Sequence, residues 1–174
     1  MSHVNLQTDD FTLFGLERLF AQDRTAIDTR WKDLQREAHP DKFAAQGAAA
    51  QRIAMQWSVR INEAYQRLKD PLRRAAYLCE LHGARVDAHS NTAMPVDFLM
   101  QQMEWREALD DAGTAHALEV LSGQVQAVHK QLLQQCEDLL DRQHDYPAAV
   151  GAVRTLMFIE KFTQDLNQRF EQFE

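Results

Sequence analysis

Apolar residues recur along this chain at intervals of three and four, with almost no alternation by two, which is the spacing of helices that bury one face. Ile27, Trp31, Leu34 and Ala38 fall at i, i+4, i+7 and i+11. They form the stripe of a helix that starts at Thr25, where Asp28 offers a capping-box partner three residues on. A second stripe, Ala54, Trp57, Ile61, Ala64, Tyr65 and Leu68, belongs to a helix that starts at Ala44 or Ala48 and ends near Leu68. Two such stripes joined by a short loop predict an antiparallel hairpin whose faces bury each other. A short helix from Asp10 to Leu16, giving way near Gly15, precedes the hairpin. Asp70 and Pro71 supply an N-cap and a first-turn proline for a fourth helix that ends at His82-Gly83.

Periodicity lapses from Ala84 to Ala93, where Asp87, Ser90, Asn91 and Thr92 bring turn chemistry. This stretch reads as a joint, which divides the chain into residues 1–83, a linker 84–94, and residues 95–174. Three more helices are predicted beyond it: Pro95 to Ala112, Ala115 to Arg142, and Pro147 to Phe173. Their stripes are Phe98, Trp105 and Leu109; Leu118, Leu121, Val125, Val128, Leu132 and Leu139; then Leu156, Ile159, Leu166 and Phe173. Stripes of this kind suit a three-helix bundle. All four prolines fall where a helical pattern breaks or restarts. The expected fold is all-α, a helical hairpin with short flanking helices followed by a three-helix bundle.

Charge narrows the function. The chain carries 26 acidic and 19 basic residues, a net charge of −7. Nucleic-acid binding normally needs a basic surface that displaces counterions from phosphates, so nucleic acid is not an expected partner. No run of 18 apolar residues offers a membrane span, and Met1 to Thr8 lacks the pattern of a secretory signal. Both point to a cytoplasmic protein with no membrane partner. Cys79 and Cys136 each sit within a helical apolar pattern, which reads as two buried thiols in a reducing compartment, with a disulfide as the alternative. No pair of Cys-x-x-Cys spacing suggests zinc, and no metal or cofactor is expected.

The loop from Ala38 to Phe43 is the most informative stretch. Proline at position 40 fixes the backbone, and His39 and Asp41 hold polar groups outward on either side of it. A rigid arrangement of that kind lowers the ordering cost of binding a partner. On the preceding helix, the face opposite the apolar stripe carries Lys32 and Arg36, diluted by Asp33 and Glu37, and Lys42 continues their side into the loop. His-Pro-Asp between two antiparallel helices, with Leu34 five residues before His39 and Lys42 directly after, resembles a J domain. The resemblance implies that His39, Pro40 and Asp41 contact a DnaK-type chaperone and stimulate its ATP hydrolysis. It implies also that Lys32, Arg36 and Lys42 help dock that chaperone.

The remaining chain lacks the Gly/Phe-rich linker and cysteine-rich zinc segment of a general DnaJ. Instead, Phe11-Thr12-Leu13-Phe14-Gly15-Leu16, His39-Pro40-Asp41-Lys42-Phe43, the run from Ala75 to Gly83 and the run from Asp97 to Asp110 resemble the HscB family. No cysteine pair precedes His39, which resembles the bacterial type. The resemblance implies a co-chaperone of iron–sulfur cluster assembly, working with the chaperone HscA and the scaffold IscU. A general J-domain adaptor for DnaK with a different client is the alternative.

In the C-terminal half, Leu99, Met100 and Met103 fall partly outside the Phe98, Trp105 and Leu109 stripe, and Glu104, Glu107 and Asp111 flank them. An apolar patch rimmed by carboxylates is a typical interaction surface. From the residues alone, a core helix with a wide apolar side is the better fit. The family resemblance implies that this patch binds the scaffold and that Phe158 joins it. Two other classes fit less well. An enzyme is disfavoured because the seven histidines form no Glu-x-x-His pair of the di-iron kind, and no phosphate loop or nucleophile elbow occurs. Cys79 and His82 offer two metal ligands without a second pair. A DNA-binding helix-turn-helix would use the third helix as its reader, and that helix carries only Arg52, Arg60, Arg67 and Lys69 as cations.

Overall fold

Helical spacing becomes helix along the chain. A computed structural model describes residues 4–87 and 95–174. Its order is α1 (Asp10–Leu13), α2 (Arg24–Ala38), a 3-10 helix (Pro40–Gln46), α3 (Ala48–Lys69), α4 (Pro71–Leu81), α5 (Val96–Asp111), α6 (Ala115–Glu137), a π turn (Asp138–Arg142) and α7 (Tyr146–Glu171). No strand occurs among the described residues. The chain divides into two compact units, Met1–Leu78 and Cys79–Glu174. The turn signals at Ser90, Asn91 and Thr92 lie outside the described residues.

In the first unit, α2 and α3 form the expected hairpin. Arg24 bonds the Lys69 carbonyl at 3.4 Å, Tyr65 the Asp28 carboxylate at 2.7 Å, Trp31 the Asn62 side chain at 2.9 Å, and Gln35 the Ser58 carbonyl at 3.1 Å. One helix ascends as the other descends, so the pair is antiparallel. Ile27, Leu34, Ala54, Ile61, Ala64 and Leu68 are buried between them and their neighbours, while Trp31 and Tyr65 stack at the margin with centroids 4.6 Å apart. Burying each of the isoleucines and leucines is worth about 1.5–3 kcal/mol, whereas an exposed ion pair contributes roughly 0–1 kcal/mol. The apolar stripe therefore holds the hairpin, and surface charges such as Arg36 add little to its stability.

Several element ends differ from expectation. α2 is capped by Asp23, whose carboxylate accepts from Thr25 N at 3.0 Å, so it begins one residue earlier than Thr25. Asp28 does not close a capping box; it pairs with Arg24 at 2.9 Å and with Tyr65. α1 is shorter than Asp10 to Leu16 because Gly15 turns to φ +65°. The start of α3 at Ala44 is replaced by the 3-10 helix, and Gly47 at φ +99° separates the two. Asp70 caps α4 through Leu72 N at 3.0 Å. At the other end Gly83, φ +79°, closes the helix, with Ala84 N bonding the Cys79 carbonyl and Gly83 N the Glu80 carbonyl.

A charge cluster beneath α1 went unread in the sequence. Asp10 is fully buried, and its carboxylate receives Arg60 at 2.7 Å and a two-pronged bond from Arg67 at 2.6 and 2.9 Å. Arg60 also donates to the carbonyls of Leu6 and Thr8, and the Asp10 N–H donates to Tyr77 Oη at 3.0 Å. These bonds join α1 and the segment before it to α3, and α1 also to α4.

In the second unit, Phe98, Trp105 and Leu109 of α5 meet Leu118, Leu121 and Val125 of α6 and Ile159, Phe162 and Leu166 of α7. Phe162 was absent from the expected stripe, yet it is fully buried and stacks on Trp105 with centroids 5.7 Å apart. Phe173, expected inside, is exposed beneath the Arg169 guanidinium. The α-helical turns of α6 end at Glu137; the next turn widens to the π form, with Gln143 N bonding the Asp138 carbonyl. Thr114 caps α6 through Ala117 N, and Asp145 caps α7 through Ala148 N.

Cys79 and Cys136 are free and buried. Burial pushes Cys79 up to about 11 and Cys136 up to about 12 from an ordinary 9.0, Glu80 adding to the first and the neighbouring Cys79 to the second. Folded thiols thus hold their protons where unfolded ones lose them, so stability should fall as pH rises from about 9 through 11 to 12. At pH 8 a thiol reagent such as DTNB should find neither cysteine in the folded chain and both in denaturant; rapid labelling of the native protein would contradict this. Asp10→Ala leaves two arginines without their shared carboxylate, and should lower stability to urea unfolding by about 3 kcal/mol. A loss too small to measure would show that the cluster is not structural.

Candidate functional site

The His39-Pro40-Asp41 turn is set by backbone sterics. A residue before proline is displaced from the α region, and His39 stands at φ −63°, ψ 127°, ending α2. Pro40 then opens the 3-10 helix in its first turn. His39 caps that helix with its own ring: Nδ1 accepts from Asp41 N at 3.2 Å, and Lys42 N bonds the His39 carbonyl at 3.0 Å. Nδ1 also lies 3.6 Å from an Asp41 carboxylate oxygen. The ring is thereby oriented by the Asp41 N–H of its own loop while its side chain stays 58% exposed, and the Asp41 side chain 91% exposed. Such a turn presents an imidazole with little freedom left to lose on binding, beside an exposed carboxylate.

Lys32, Arg36 and Lys42 are all exposed. Arg36 lies 3.7 Å from Asp33, a loose surface pair that leaves its charge largely available. Behind the turn, an apolar groove of about 560 Å³ runs between α2 and α3, with Leu34, Ala38, Phe43, Ile53 and Trp57 among its walls. Its apolar opening was not read from the sequence, because Ile53 lies off the buried stripe of α3 and stays exposed.

The second cluster lies on α5 and α7. Leu99, Met100 and Met103 are 45, 62 and 72% exposed, while Phe98, Trp105 and Leu109 are buried. α5 therefore has two apolar faces, one in the core and one in solvent. Val96, also exposed, extends the outer face by one turn and was missed. Glu104, Glu107 and Asp111 are exposed along the same helix. Leu99, Met103, Glu107 and Asp111 line one groove of about 760 Å³, together with Gln102, Arg106 and Asp110.

Phe158 is half-buried, with its ring edge-on to Phe98 at 5.6 Å and stacked on Phe162 at 6.1 Å. It joins the core cluster on one side and remains partly open on the other. The structure thus brings the α5 residues onto one exposed helix and links Phe158 to that helix through Phe98. No group of three or more His, Cys, Asp or Glu side chains able to hold a metal occurs among the described residues. No described helix is long and apolar enough to cross a membrane.

The family model described as the HSCB C-terminal oligomerisation domain matches residues 94–167. The chain is 45% identical over 174 residues to the co-chaperone protein HscB homolog of Burkholderia cenocepacia, covering 98% of this chain and 99% of that one. It is 46% identical over 159 residues to the homolog of Bordetella petrii, covering 91% and 94%. These relatives are named as co-chaperones, not as enzymes. Among solved structures, the chaperone HscB from Vibrio cholerae aligns with a TM-score of 0.82 at 34% identity, covering 96% of this chain and all of that one. Human co-chaperone HscB aligns with a TM-score of 0.89 at 25% identity, covering 95% and 83%. The exposed His-Pro-Asp turn and the doubly apolar α5 thus stand in a chain that resembles these proteins almost end to end, and it belongs to the HscB family of J-domain co-chaperones of iron–sulfur cluster assembly.

Proposed function

We propose that this protein stimulates the ATPase of the DnaK-type chaperone HscA and delivers the scaffold IscU to it in the cytoplasm. Residues 1–83 act as the J domain, 84–94 as a linker and 95–174 as the scaffold-binding domain. His39, Pro40 and Asp41 make the contact that triggers hydrolysis, with Lys32, Arg36 and Lys42 steering the acidic partner surface that such cations favour. Leu99, Met100, Met103 and Phe158 form the apolar centre of the scaffold contact, and Glu104, Glu107 and Asp111 its charged rim. The observation that carries the reading is the turn itself, an exposed ring fixed by a bond within its own loop beside an exposed carboxylate. A general adaptor for DnaK with a different client would use the same turn, and differs in what the α5 face binds.

Two variants separate the roles. His39→Gln should abolish ATPase stimulation, measured with purified HscA, and leave IscU binding by calorimetry unchanged. Met100→Ala combined with Phe158→Ala removes two apolar anchors, and should weaken IscU binding by about 3 kcal/mol while sparing stimulation by the J domain alone. If both folded variants lost both activities, the division of labour would be wrong.

A further inference from the structure

We propose that Arg106 is a positioning residue for the scaffold-binding face, holding the Phe158 ring in place at the edge of the exposed apolar surface of α5. The inference rests on the scaffold-binding role proposed above. Leu99, Met103 and Arg106 stand at i, i+4 and i+7 on α5, so the guanidinium shares the face of the exposed apolar residues. Its central carbon lies 5.9 Å from the centroid of Phe158 and 5.2 Å from that of Phe162. Both fall within the reach of a cation–π contact. Arg106 also bridges to Asp165 at 2.8 Å. Asp165 follows Phe158 by seven residues, two turns along the same face of α7, so one side chain from α5 engages ring and carboxylate together.

Two aromatic rings also meet Phe158. Phe98 meets it edge-on, Phe162 stacks on it, and both are themselves buried. Arg106 differs from them in that it also lines the groove with Leu99 and Met103. Its side chain is 40% exposed and that of Asp165 34%. An ion pair in that setting contributes little to folding, so the pair's more specific effect is geometric. Asp165 orients the planar guanidinium, and the guanidinium sets where the Phe158 ring stops. The same bond offsets the positive charge, so the groove keeps the acidic character of Glu107, Asp110 and Asp111.

The test is a double-mutant cycle on the full chain, read as IscU affinity by calorimetry. Arg106→Met retains the length of the stem and removes the cation, and should weaken binding about tenfold when Phe158 is present. In a Phe158→Ala background it should cost almost nothing further, because the group it positions is gone. Arg106→Lys keeps the charge without the planar fork, and should recover part of the loss. Unchanged affinity in Arg106→Met would overturn the proposal, as would an equal loss with and without Phe158. Thermal unfolding of each variant separates misfolding from mispositioning. If Arg106→Met fails to fold, Asp165→Asn is the substitute, expected to give a smaller loss that also vanishes without Phe158; an undiminished loss there would overturn the proposal. A wild-type chain that does not bind IscU at all would overturn the scaffold reading, and this inference with it.

Discussion

The arrangement of the N-terminal unit depends on one steric rule applied at one bond. Proline at position 40 keeps His39 out of the helical region, so α2 must end at Ala38. The chain then reverses through a single 3-10 segment, and α3 returns along α2 with its apolar stripe facing the other. Because the histidine is extended, its ring reaches forward to cap Asp41 N. Termination of the helix, reversal of the chain and orientation of the exposed groups thus share a cause. The His39 ring is ordered by its own backbone before any partner arrives.

The C-terminal unit meets a different constraint. A three-helix bundle needs one apolar face per helix, and α5 meets that need with Phe98, Trp105 and Leu109. Its second apolar face, made of Val96, Leu99, Met100 and Met103, is not required by the bundle and stays in solvent. Leaving such residues exposed carries a cost in solubility, which the surrounding carboxylates and the net charge of −7 reduce. Phe158 touches the core through Phe98 and Phe162 while standing partly open. Two separate contacts on one chain would bring their two partners together. Tethering them raises the effective concentration of one near the other, so neither contact has to be tight.

Much of this was legible in the sequence, for identifiable reasons. The hairpin followed from the stripes of α2 and α3, and the turn between them from Pro40, because helical period and proline sterics are local. The α5 face was visible as residues that did not fit the buried stripe. What stayed hidden depends on distance along the chain. Asp10 is buried because Arg60 and Arg67 reach it from about fifty residues away, and an aspartate beside a short apolar run ordinarily reads as a cap. Asp28 was assigned to capping when its partners were Arg24 beside it and Tyr65 across the hairpin. Phe162 was overlooked because Leu156, Ile159 and Leu166 already made a complete stripe; α7 is buried over a wider arc than one stripe supplies. Arg106 carries no motif at all, and its rings and carboxylate become neighbours only once α5 packs on α7.

The central claim, one chain joining a chaperone trigger to a scaffold contact, is tested most directly by steady-state ATP hydrolysis of purified HscA. The protein and IscU are added separately and then together. The account predicts stimulation by the protein alone, and a combined rate well above the sum of the separate effects. Stimulation that IscU does not change would contradict the joining of the two contacts, and no stimulation at all would contradict the reading of the His-Pro-Asp turn.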